Sequence, residues 1–403
     1  MTIQKYELKD LSVKFKDILH YINSKYYEIE DFSLCILLSM ISRTHMIALG
    51  QPGIAKSAIL REIVDLIDFS NYEGTPYFQI QMGADISPNN VLGSPDIEFY
   101  KKHGIIKRNY TGFLPDAIIA FCSEFYRIND QVANSGILTI MNEGEFKNGT
   151  EIVKAKLRFL MADTNFFPKQ PDDLDAEDDD LRLQALHDRF LARILVKPLK
   201  DKSNKVKMIL MDDHKHSDTR LLLEEVIYMQ ELIDQVKLPE KIAMHMVDIS
   251  EKLQIDKEIF ISPRRLKNSR NLVKAHALLN NRMYCTIDDL LALKFSFWQK
   301  EEDINVVNDL IYDTMNLPIK DAEKFNDMFF SITKEIETNI ENTKTLPNFD
   351  PDKIFKQGLK DLEKLLERIS LKYSPVSEYP AVEKIYNAVQ DEIKEIAVRK
   401  YLV

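Results

Sequence analysis

The sequence predicts an α/β chain in which a parallel sheet wrapped by helices is followed by all-helical segments. Apolar runs alternate with helical patterns from residue 46 to about residue 200, which is typical of a parallel sheet. Long amphipathic patterns without strand signals follow from about residue 210. A glycine-containing turn, "GQPGIAKS" at residues 50–57, joins the first apolar run to a helical pattern.

The composition is that of a globular protein. Of 403 residues, 45% are hydrophobic and 29% are charged, which excludes disordered and fibrous classes. The length predicts more than one domain, and we expect three, at residues 1–200, 201–302 and 303–403. The net charge of −10 argues against broad binding to nucleic acid.

Cysteine usage and apolar runs predict the compartment. Cys35, Cys122 and Cys285 are widely spaced within apolar segments, which favours reduced thiols and a cytoplasmic location. The N-terminus has no apolar signal core, and the longest apolar stretch, "FSLCILLSMI", is too short to span a bilayer. We therefore expect no contact with a membrane.

The elements follow in order along the chain. Residues 1 to about 45 predict two helices, and the next apolar run begins at Met46. Further strands are predicted at "YFQIQM" (77–82), "AIIAFC" (117–122), "LRFLMA" (157–162) and "RILVKPL" (193–199). A segment rich in Gly, Pro and Asn predicts an inserted loop region with a short hairpin around His103 and Gly104.

Two later segments are open to more than one interpretation. The acidic cluster "DDLDAEDDDL", residues 172–181, is typical of a solvated loop, and the alternative is a docking surface for a basic partner. Amphipathic patterns from residue 303 to the end predict a helical extension suited to helix pairing or subunit contact.

The turn at residues 50–57 has the residues of a phosphate-binding loop. Gly50 and Gly53 permit a sharp turn, Lys56 can reach the β- and γ-phosphates, and Ser57 can supply a hydroxyl to Mg²⁺. The strict pattern requires glycine where this chain has Ala55, and we expect a near-helical backbone that tolerates the methyl group. The predicted nucleotide-binding residues are Gly50, Pro52, Gly53, Ile54, Ala55, Lys56, Ser57 and Ala58, with Ser57 as the metal ligand.

Hydrolysis of a bound nucleoside triphosphate requires a carboxylate near the Mg²⁺ ion and a group that polarises the attacking water. Glu124 follows the "AIIAFC" run and could orient water, whereas Ser123 stands where a carboxylate would hold the magnesium shell. Asn165 follows another predicted strand and could bond the γ-phosphate or the water, although such a residue is often only a turn residue.

Hydrolysis also requires a cation to neutralise charge in the transition state. In "ALHDRFLARI", Arg189 and Arg193 could each reach a neighbouring subunit's nucleotide, and the alternative is a structural ion pair. In "ISPRRLKNSR", Ser262 predicts a helix N-cap, and Arg264 or Arg265 could lie over the γ-phosphate.

Six segments together resemble the MoxR group of AAA+ ATPases, and most closely its RavA-type branch. They are "GQPGIAKS", "TGFLPDAIIAFCSEFYRI", "GILTIMNEGEF", "MADTNFFP", "ALHDRFLAR" and "ISPRRLKNSRNLVKAHA", in order over roughly residues 20 to 300. The resemblance implies an αβα P-loop module, an all-helical lid and assembly as a ring, commonly a hexamer. Alanine before the lysine is frequent in that family.

The resemblance also implies roles for individual residues. Lys56 and Ser57 resemble the Walker A pair, and Glu124 resembles the Walker B glutamate. Asn165 resembles the first sensor and Arg264 the second sensor. Arg189 resembles the arginine finger, with Arg193 as a competing candidate.

Two positions depart from the family pattern. Ser123 replaces the Walker B aspartate, and Gly144 replaces an arginine in the element that reads Asn142, Glu143, Gly144 here. Loss of the aspartate is expected to weaken Mg²⁺ retention and to slow hydrolysis.

The resemblance implies ATP and Mg²⁺ as cofactors and a homo-oligomeric ring that remodels a partner protein, often one with a von Willebrand factor A domain. Two alternatives stay open. The first is a nucleotide-binding scaffold or switch with weak or lost hydrolysis, and the second is a DNA-acting relative, which the net charge disfavours.

Overall fold

The computed structural model describes residues 6–168, 183, 186–210, 217–343 and 351–399. The chain forms two compact units, Met1–Asn308 and Asp309–Val403. The acidic cluster at 172–181 lies outside the described residues. Each unit is described by itself below.

The first unit is built on a parallel sheet of five strands in the order β10-β1-β9-β6-β3. The sheet strands are β1 (Met46–Leu49), β3 (Thr75–Gln81), β6 (Ala117–Ser123), β9 (Phe159–Thr164) and β10 (Ala192–Leu195). The minor strands are β2 (Ile67–Asp68), β4 (Ser94–Pro95), β5 (Arg108–Asn109), β7 (Glu145–Asn148), β8 (Glu151–Lys154) and β11 (Leu221–Leu222). The predicted α/β fold with a parallel sheet is confirmed.

The central strands are apolar on both faces. All of β1 is buried, as are the first six residues of β6, from Ala117 to Cys122. A continuous apolar run is the pattern of a strand covered by helices on both sides. Helix α2 contributes to that cover, because Ile36, Leu37 and Leu38 are fully buried.

The helices of the first unit precede, connect and follow these strands. They are α1 (Leu8–Lys25), α2 (Glu30–Ile41), α3 (Lys56–Asp65), α4 (Pro88–Leu92), α5 (Ile97–His103), α6 (Asp130–Val132), α7 (Leu138–Glu143), α8 (Lys202–Leu210), α9 (Leu223–Leu232), α10 (Glu240–Lys257), α11 (Pro263–Leu279) and α12 (Asp303–Met315). Helix α12 extends past Asn308. A π-helical turn, Ala133–Ile137, joins α6 to α7, and 3₁₀ helices cover Phe125–Arg127, Ile233–Gln235 and Ile287–Phe295.

Three local predictions differ from the structure. The short hairpin predicted around His103 and Gly104 is present in a longer form, because Gly104 ends helix α5 with φ +67°. This helix lies between β4 and β5, which pair antiparallel. A hairpin that was not predicted, β7–β8, follows α7, and β11 pairs with β2 in a segment predicted to lack strands.

A buried ion cluster joins α11 to the following 3₁₀ helix. The carboxylate of Asp289 is fully buried and accepts hydrogen bonds from His276 Nδ1 at 2.7 Å and from both terminal nitrogens of Arg282 at 2.6 and 2.7 Å. The backbone N–H of Thr286 donates a further bond to it at 2.7 Å. Burial alone would raise the pKa of Asp289, but these donors hold it below its ordinary value.

The second unit is helical, as predicted. Its helices are α13 (Leu317–Thr343), α14 (Pro351–Lys372) and α15 (Pro380–Arg399), which pack on one another, with a short 3₁₀ turn at Val376–Glu378. Leu362, Ile369 and Val382 are fully buried between them. Within the described residues, each helix falls short of the length or the apolarity that crossing a bilayer demands.

Candidate functional site

The loop between β1 and α3 requires its two glycines. Gly50 has φ +147°, and a Cβ there would lie 2.4 Å from the carbonyl oxygen of Val196. Gly53 has φ +83°, a conformation that disfavours other residues. The sharp turn predicted from the sequence is therefore present, and it places Lys56 and Ser57 in the first turn of a ten-residue helix.

The backbone at Ala55 differs from the prediction. Its φ is +58° and its ψ is 16°, which is left-handed rather than near-helical. For an L-residue with a Cβ, this conformation costs about 1–2 kcal/mol. The loop thus holds alanine in the conformation for which the strict pattern uses glycine, and strain of this kind is found at functional sites.

Lys56 is buried with its ammonium group inside the loop. Its side chain is only 6% exposed, and Nζ donates to the carbonyl oxygens of Gly50, of Gln51 at 3.4 Å and of Thr164 at 3.3 Å. Burial lowers the pKa of Lys56, while Asp163 and Glu124 oppose that shift. A desolvated ammonium held by neutral carbonyls can bind an anion such as phosphate.

Asp163 was missed by the sequence interpretation. It lies on β9 beside Ala48 of β1, and its Oδ2 is 3.8 Å from Lys56 Nζ. Its Oδ1 accepts a hydrogen bond of 2.9 Å from the backbone N–H of Glu124. Burial raises the pKa of Asp163 despite these two donors. The available signal was one carboxylate inside an otherwise apolar strand, which is expensive to bury without a partner.

Glu124 follows β6 directly and has a strained backbone. Its φ is +51° and its ψ is 43°, a left-handed conformation that is rare outside glycine. Its Oε2 is buried, accepts no hydrogen bond from the described residues, and lies 3.3 Å from Arg127 Nε. A carboxylate oxygen with remaining acceptor capacity can orient a water molecule.

Asn165 lies beside the loop, in the wall of a cavity of about 400 Å³. Gly50 and Gln51 line the same cavity. A second cavity of about 410 Å³ shares Leu195, Val196 and Lys197 with the first and extends to the start of α2. Both volumes are in the range of small-ligand sites. The structure therefore brings Asn165 next to the loop between β1 and α3.

The donors at this site suit a hard cation and a phosphate. Ser57 supplies a hydroxyl, Asp163 and Glu124 supply carboxylates, and Lys56 supplies a positive charge. Mg²⁺ prefers oxygen ligands and is usually held by one or two protein groups together with water and substrate phosphates. The residues present thus fit Mg²⁺ and a nucleoside triphosphate.

Arg193 does not have the position predicted for it. Its side chain is fully buried, and its guanidinium donates to the carbonyl oxygens of Phe190 at 3.2 Å, Trp298 at 2.9 Å and His187 at 3.0 Å. It also pairs with Asp188 at 3.0 Å. A side chain held in this way cannot project toward a neighbouring subunit, so the prediction for Arg193 is wrong.

Arg265 is buried in the same region. It is 5% exposed, and its guanidinium donates to four carbonyl oxygens: those of Asp188, Phe190, Leu191 and Ser296. Arg193 and Arg265 thus join the segment that follows residue 186 to the segment around Ser296 and Trp298. Arg189 lies within the first of these segments.

Arg189 and Arg264 face a different cavity. This cavity, of about 370 Å³, is lined by Asp188, Arg189, Leu191, Ser262, Arg264, Arg265 and Asn268. Arg264 is exposed and lies 3.2 Å from the side-chain oxygen of Asn142. Among the described residues, none from the loop at 50–58 lines this cavity.

Gly144 has a conformational explanation. It caps the C-terminus of α7 with φ +70° and ψ 23°, and its N–H donates to the carbonyl oxygen of Ile140. Glycine is the usual residue for a left-handed helix cap. The departure from the arginine of the resembled element is therefore compatible with a regular helix end.

Two family models match the chain over most of its first unit. Residues 13–237 match a family model described as the "MoxR domain in the MoxR-vWA-beta-propeller ternary systems". Residues 241–311 match an AAA lid domain.

Two relatives are uncharacterized proteins of Methanocaldococcus jannaschii. One is 31% identical over 89% of this chain and 87% of its own length, and the other is 28% identical over 94% and 96%. A crystal structure of a candidate ATPase from Cytophaga hutchinsonii is 15% identical and superposes with a TM-score of 0.56, covering 77% of this chain and 95% of that one. This last similarity concerns the fold.

The family model covers more than half of the chain, and the structure contains the loop, the sheet order and the helical lid of that fold. The chain therefore belongs to the MoxR family of AAA+ ATPases.

Proposed function

We propose that this protein binds ATP with Mg²⁺ at the loop between β1 and α3, hydrolyses it in an oligomeric ring, and uses the cycle to remodel a partner protein. One observation carries the proposal. The buried Lys56 ammonium, the Asp163 carboxylate and the strained Glu124 meet where three parallel strands end. The C-terminal edge of such a sheet is where ligands of this fold class bind.

The residues have distinct roles in the proposed hydrolysis. Lys56 would hold phosphate charge, and Ser57 would hold the metal ion. Glu124 and Asn165 would position the attacking water, which requires acceptor atoms of the kind that Glu124 Oε2 provides. When bound, Mg²⁺ would supply positive charge that stabilises the charge developing on the phosphate.

The nucleotide base has a separate place in this proposal. The cavity beside the start of α2 is lined by the apolar residues Ile29, Phe32 and Trp298 together with charged and polar residues. It adjoins the cavity that Gly50 and Asn165 line. We place the adenine and ribose there, with the phosphates toward Lys56.

Arg189 would act on a neighbouring subunit's nucleotide, and Arg264 would hold phosphate charge. They line one cavity, and the loop residues 50–58 do not contribute to it among the described residues. An arginine supplied from a neighbour neutralises charge in the transition state and accelerates hydrolysis by about 10³–10⁵-fold. Arg189 is the arginine finger in this proposal, and Arg264 is the second sensor.

Phosphate release by the wild type with Mg²⁺, together with nucleotide binding by Lys56→Ala, tests the proposal. Lys56→Ala should abolish binding of a fluorescent ATP analogue, whereas Lys101→Ala, on exposed α5, should bind as the wild type does. Unchanged affinity in Lys56→Ala would rule out the loop as the phosphate site.

The trans assignment is tested by mixing variants. Arg189→Ala keeps Lys56 and Glu124, and Glu124→Gln keeps Arg189, so a mixed ring contains some complete sites. The mixture should hydrolyse ATP faster than either variant alone. Mixing Arg189→Ala with a double variant, Glu124→Gln and Arg189→Ala, is the matched control and should give no recovery. No recovery in the first mixture at any ratio would contradict the assignment.

The partner and the assembly are further parts of the proposal. The matching family model names systems in which a MoxR domain occurs with a vWA component, which supports a partner with a von Willebrand factor A domain. A hexameric ring, a cytoplasmic location and membership of the RavA-like branch stay predictions from the sequence. ATP-dependent co-purification with a protein that contains a von Willebrand factor A domain would test the proposed partner.

A nucleotide-dependent scaffold or switch is the second candidate. Ser123 favours it, because the hydroxyl supplies no negative charge where the family has an aspartate. ATP binding without turnover by the wild type would select this function.

A further inference from the structure

We propose that Asp163 supplies, from the neighbouring strand β9, the carboxylate that the magnesium site lacks at Ser123. This inference rests on the proposed ATP site. It assigns Asp163 two tasks, which are to provide negative charge beside the metal ion and to fix the backbone of Glu124.

The strand register places the two positions side by side. Strands β6 and β9 are parallel, with Cys122 opposite Ala162. One further step along the same register brings Ser123 opposite Asp163. Residues that are opposite in a sheet point to the same face, and neighbouring strands are about 4.8 Å apart. A carboxylate at position 163 on β9 thus lies as far along the sheet as a carboxylate at position 123 on β6 would.

Asp163 contacts both Lys56 and Glu124, which lie beside the proposed metal site. Its Oδ2 lies 3.8 Å from Lys56 Nζ, and its Oδ1 binds the Glu124 N–H at 2.9 Å. An ionised carboxylate has about four acceptor positions, so these contacts leave room for a metal-bound water. The bond to Glu124 also fixes a residue whose φ of +51° requires support from its surroundings.

A purely structural explanation accounts less well for Asp163. Its side chain is 15% exposed, and the nearest cation in the described part of the chain, Lys56 Nζ, is at 3.8 Å rather than in close contact. A buried carboxylate is costly unless it is well paired. Negative charge at this point is useful if a cation binds beside it.

The two explanations predict different responses to magnesium. Asp163→Asn removes the charge but keeps a similar shape and an oxygen acceptor for the Glu124 N–H. Without Mg²⁺, loss of a negative charge beside Lys56 should leave ATP binding unchanged or tighter. With Mg²⁺, binding should weaken, because outer ligands of a metal site contribute about 10–100-fold to metal affinity.

The experiment measures binding of a fluorescent ATP analogue to the full chain, in excess Mg²⁺ and in EDTA. The ratio of the two affinities is the magnesium enhancement. Asp163→Asn should reduce the enhancement by about tenfold or more. The double variant Ser123→Asp and Asp163→Asn, which moves the charge back to β6, should recover most of it.

Asp116→Asn is the matched control. Asp116 is also buried, at 5% exposure, but it lies just before β6 at the opposite edge of the sheet and pairs with Lys156 at 2.7 Å. This variant should lose stability without a change in magnesium enhancement. Thermal melting of each variant shows whether it is folded.

The outcomes separate the inference from the proposed function. If the wild type binds no nucleotide, the proposed function fails and the inference fails with it. If the wild type shows magnesium enhancement and folded Asp163→Asn shows the same enhancement, only the inference is overturned. The inference is also overturned if the folded double variant recovers nothing.

Discussion

Arg264 and Arg265 are consecutive residues of helix α11 with opposite environments. The guanidinium of Arg265 is buried against four backbone carbonyl oxygens, whereas Arg264 is exposed and contacts Asn142 at 3.2 Å. One step along a helix rotates a side chain by about 100°, which is enough to separate core from surface. Arg265 therefore anchors α11 to the residues around it, whereas the side chain of Arg264 lies at the surface.

This pair gives a prediction about stability. Arg265→Ala should lower the free energy of unfolding by about 3–5 kcal/mol, because it removes a buried charge and leaves its carbonyl partners without donors. Arg264→Ala should change it by no more than about 0.5 kcal/mol, as is usual for an exposed position. Denaturant unfolding of both variants measures the difference. Equal losses would contradict the assignment.

The strain at Ala55 gives a second prediction. Ala55→Gly should relieve a left-handed strain of about 1–2 kcal/mol, less about 0.4–1 kcal/mol for the greater freedom of the unfolded chain. The net effect is a gain in stability of up to about 1.6 kcal/mol. Ala58→Gly is the control, because Ala58 is exposed within α3 and should lose up to about 1 kcal/mol. A loss of stability in Ala55→Gly would show that the strain is absent.

The ion cluster of the lid gives a third prediction, on pH. The folded pKa of Asp289 is lowered, so its stabilising effect is fully present above its unfolded pKa of about 3.9. The effect is lost as the pH falls through the lower folded pKa. Asp289→Asn should lower stability by about 3–5 kcal/mol at pH 7, since it leaves Arg282 unpaired. The same substitution should also flatten the dependence of stability on pH below about pH 4. Thermal unfolding between about pH 2 and pH 7 would measure both effects. An unchanged acid profile would contradict the role of Asp289.

Arg193 gives a fourth prediction, which separates it from Arg189. Arg193→Ala should destabilise the fold by about 3–5 kcal/mol, because the buried guanidinium donates hydrogen bonds to Trp298, Phe190 and Asp188. Arg189→Ala should keep ATP binding and lose ATP turnover by about 10³-fold or more. Binding and turnover assays on the two variants test this. Full turnover in Arg189→Ala would exclude it as the arginine finger.

The sequence predicted the elements whose signals are local. The apolar runs at 117–122 and 157–162 became β6 and β9, since a strand buried on both faces requires a continuous apolar run. The sharp turn before α3 was also predictable, because Gly50 and Gly53 lie within one short segment that ends at the start of the helix.

Features that depend on contacts between distant segments were not predictable in the same way. Asp163 lies at the site because β9 lies between β1 and β6. The order of strands in a sheet cannot be read from the residues of a single segment. The buried position of Arg193 depends on Trp298, which is 105 residues away along the chain. The choice between Arg264 and Arg265 depends on the rotation of α11 against residues 188–191.

ATP turnover by the purified chain with Mg²⁺, compared with Glu124→Gln, tests the central claim most directly. Glu337→Gln, an exposed glutamate on α13, is the control and should behave as the wild type does. The wild type should release phosphate, and Glu124→Gln should still bind ATP but release phosphate at least about 100-fold more slowly, since a positioned base contributes that much. A wild type that binds ATP and releases no phosphate, or a Glu124→Gln variant as fast as the wild type, would contradict the account.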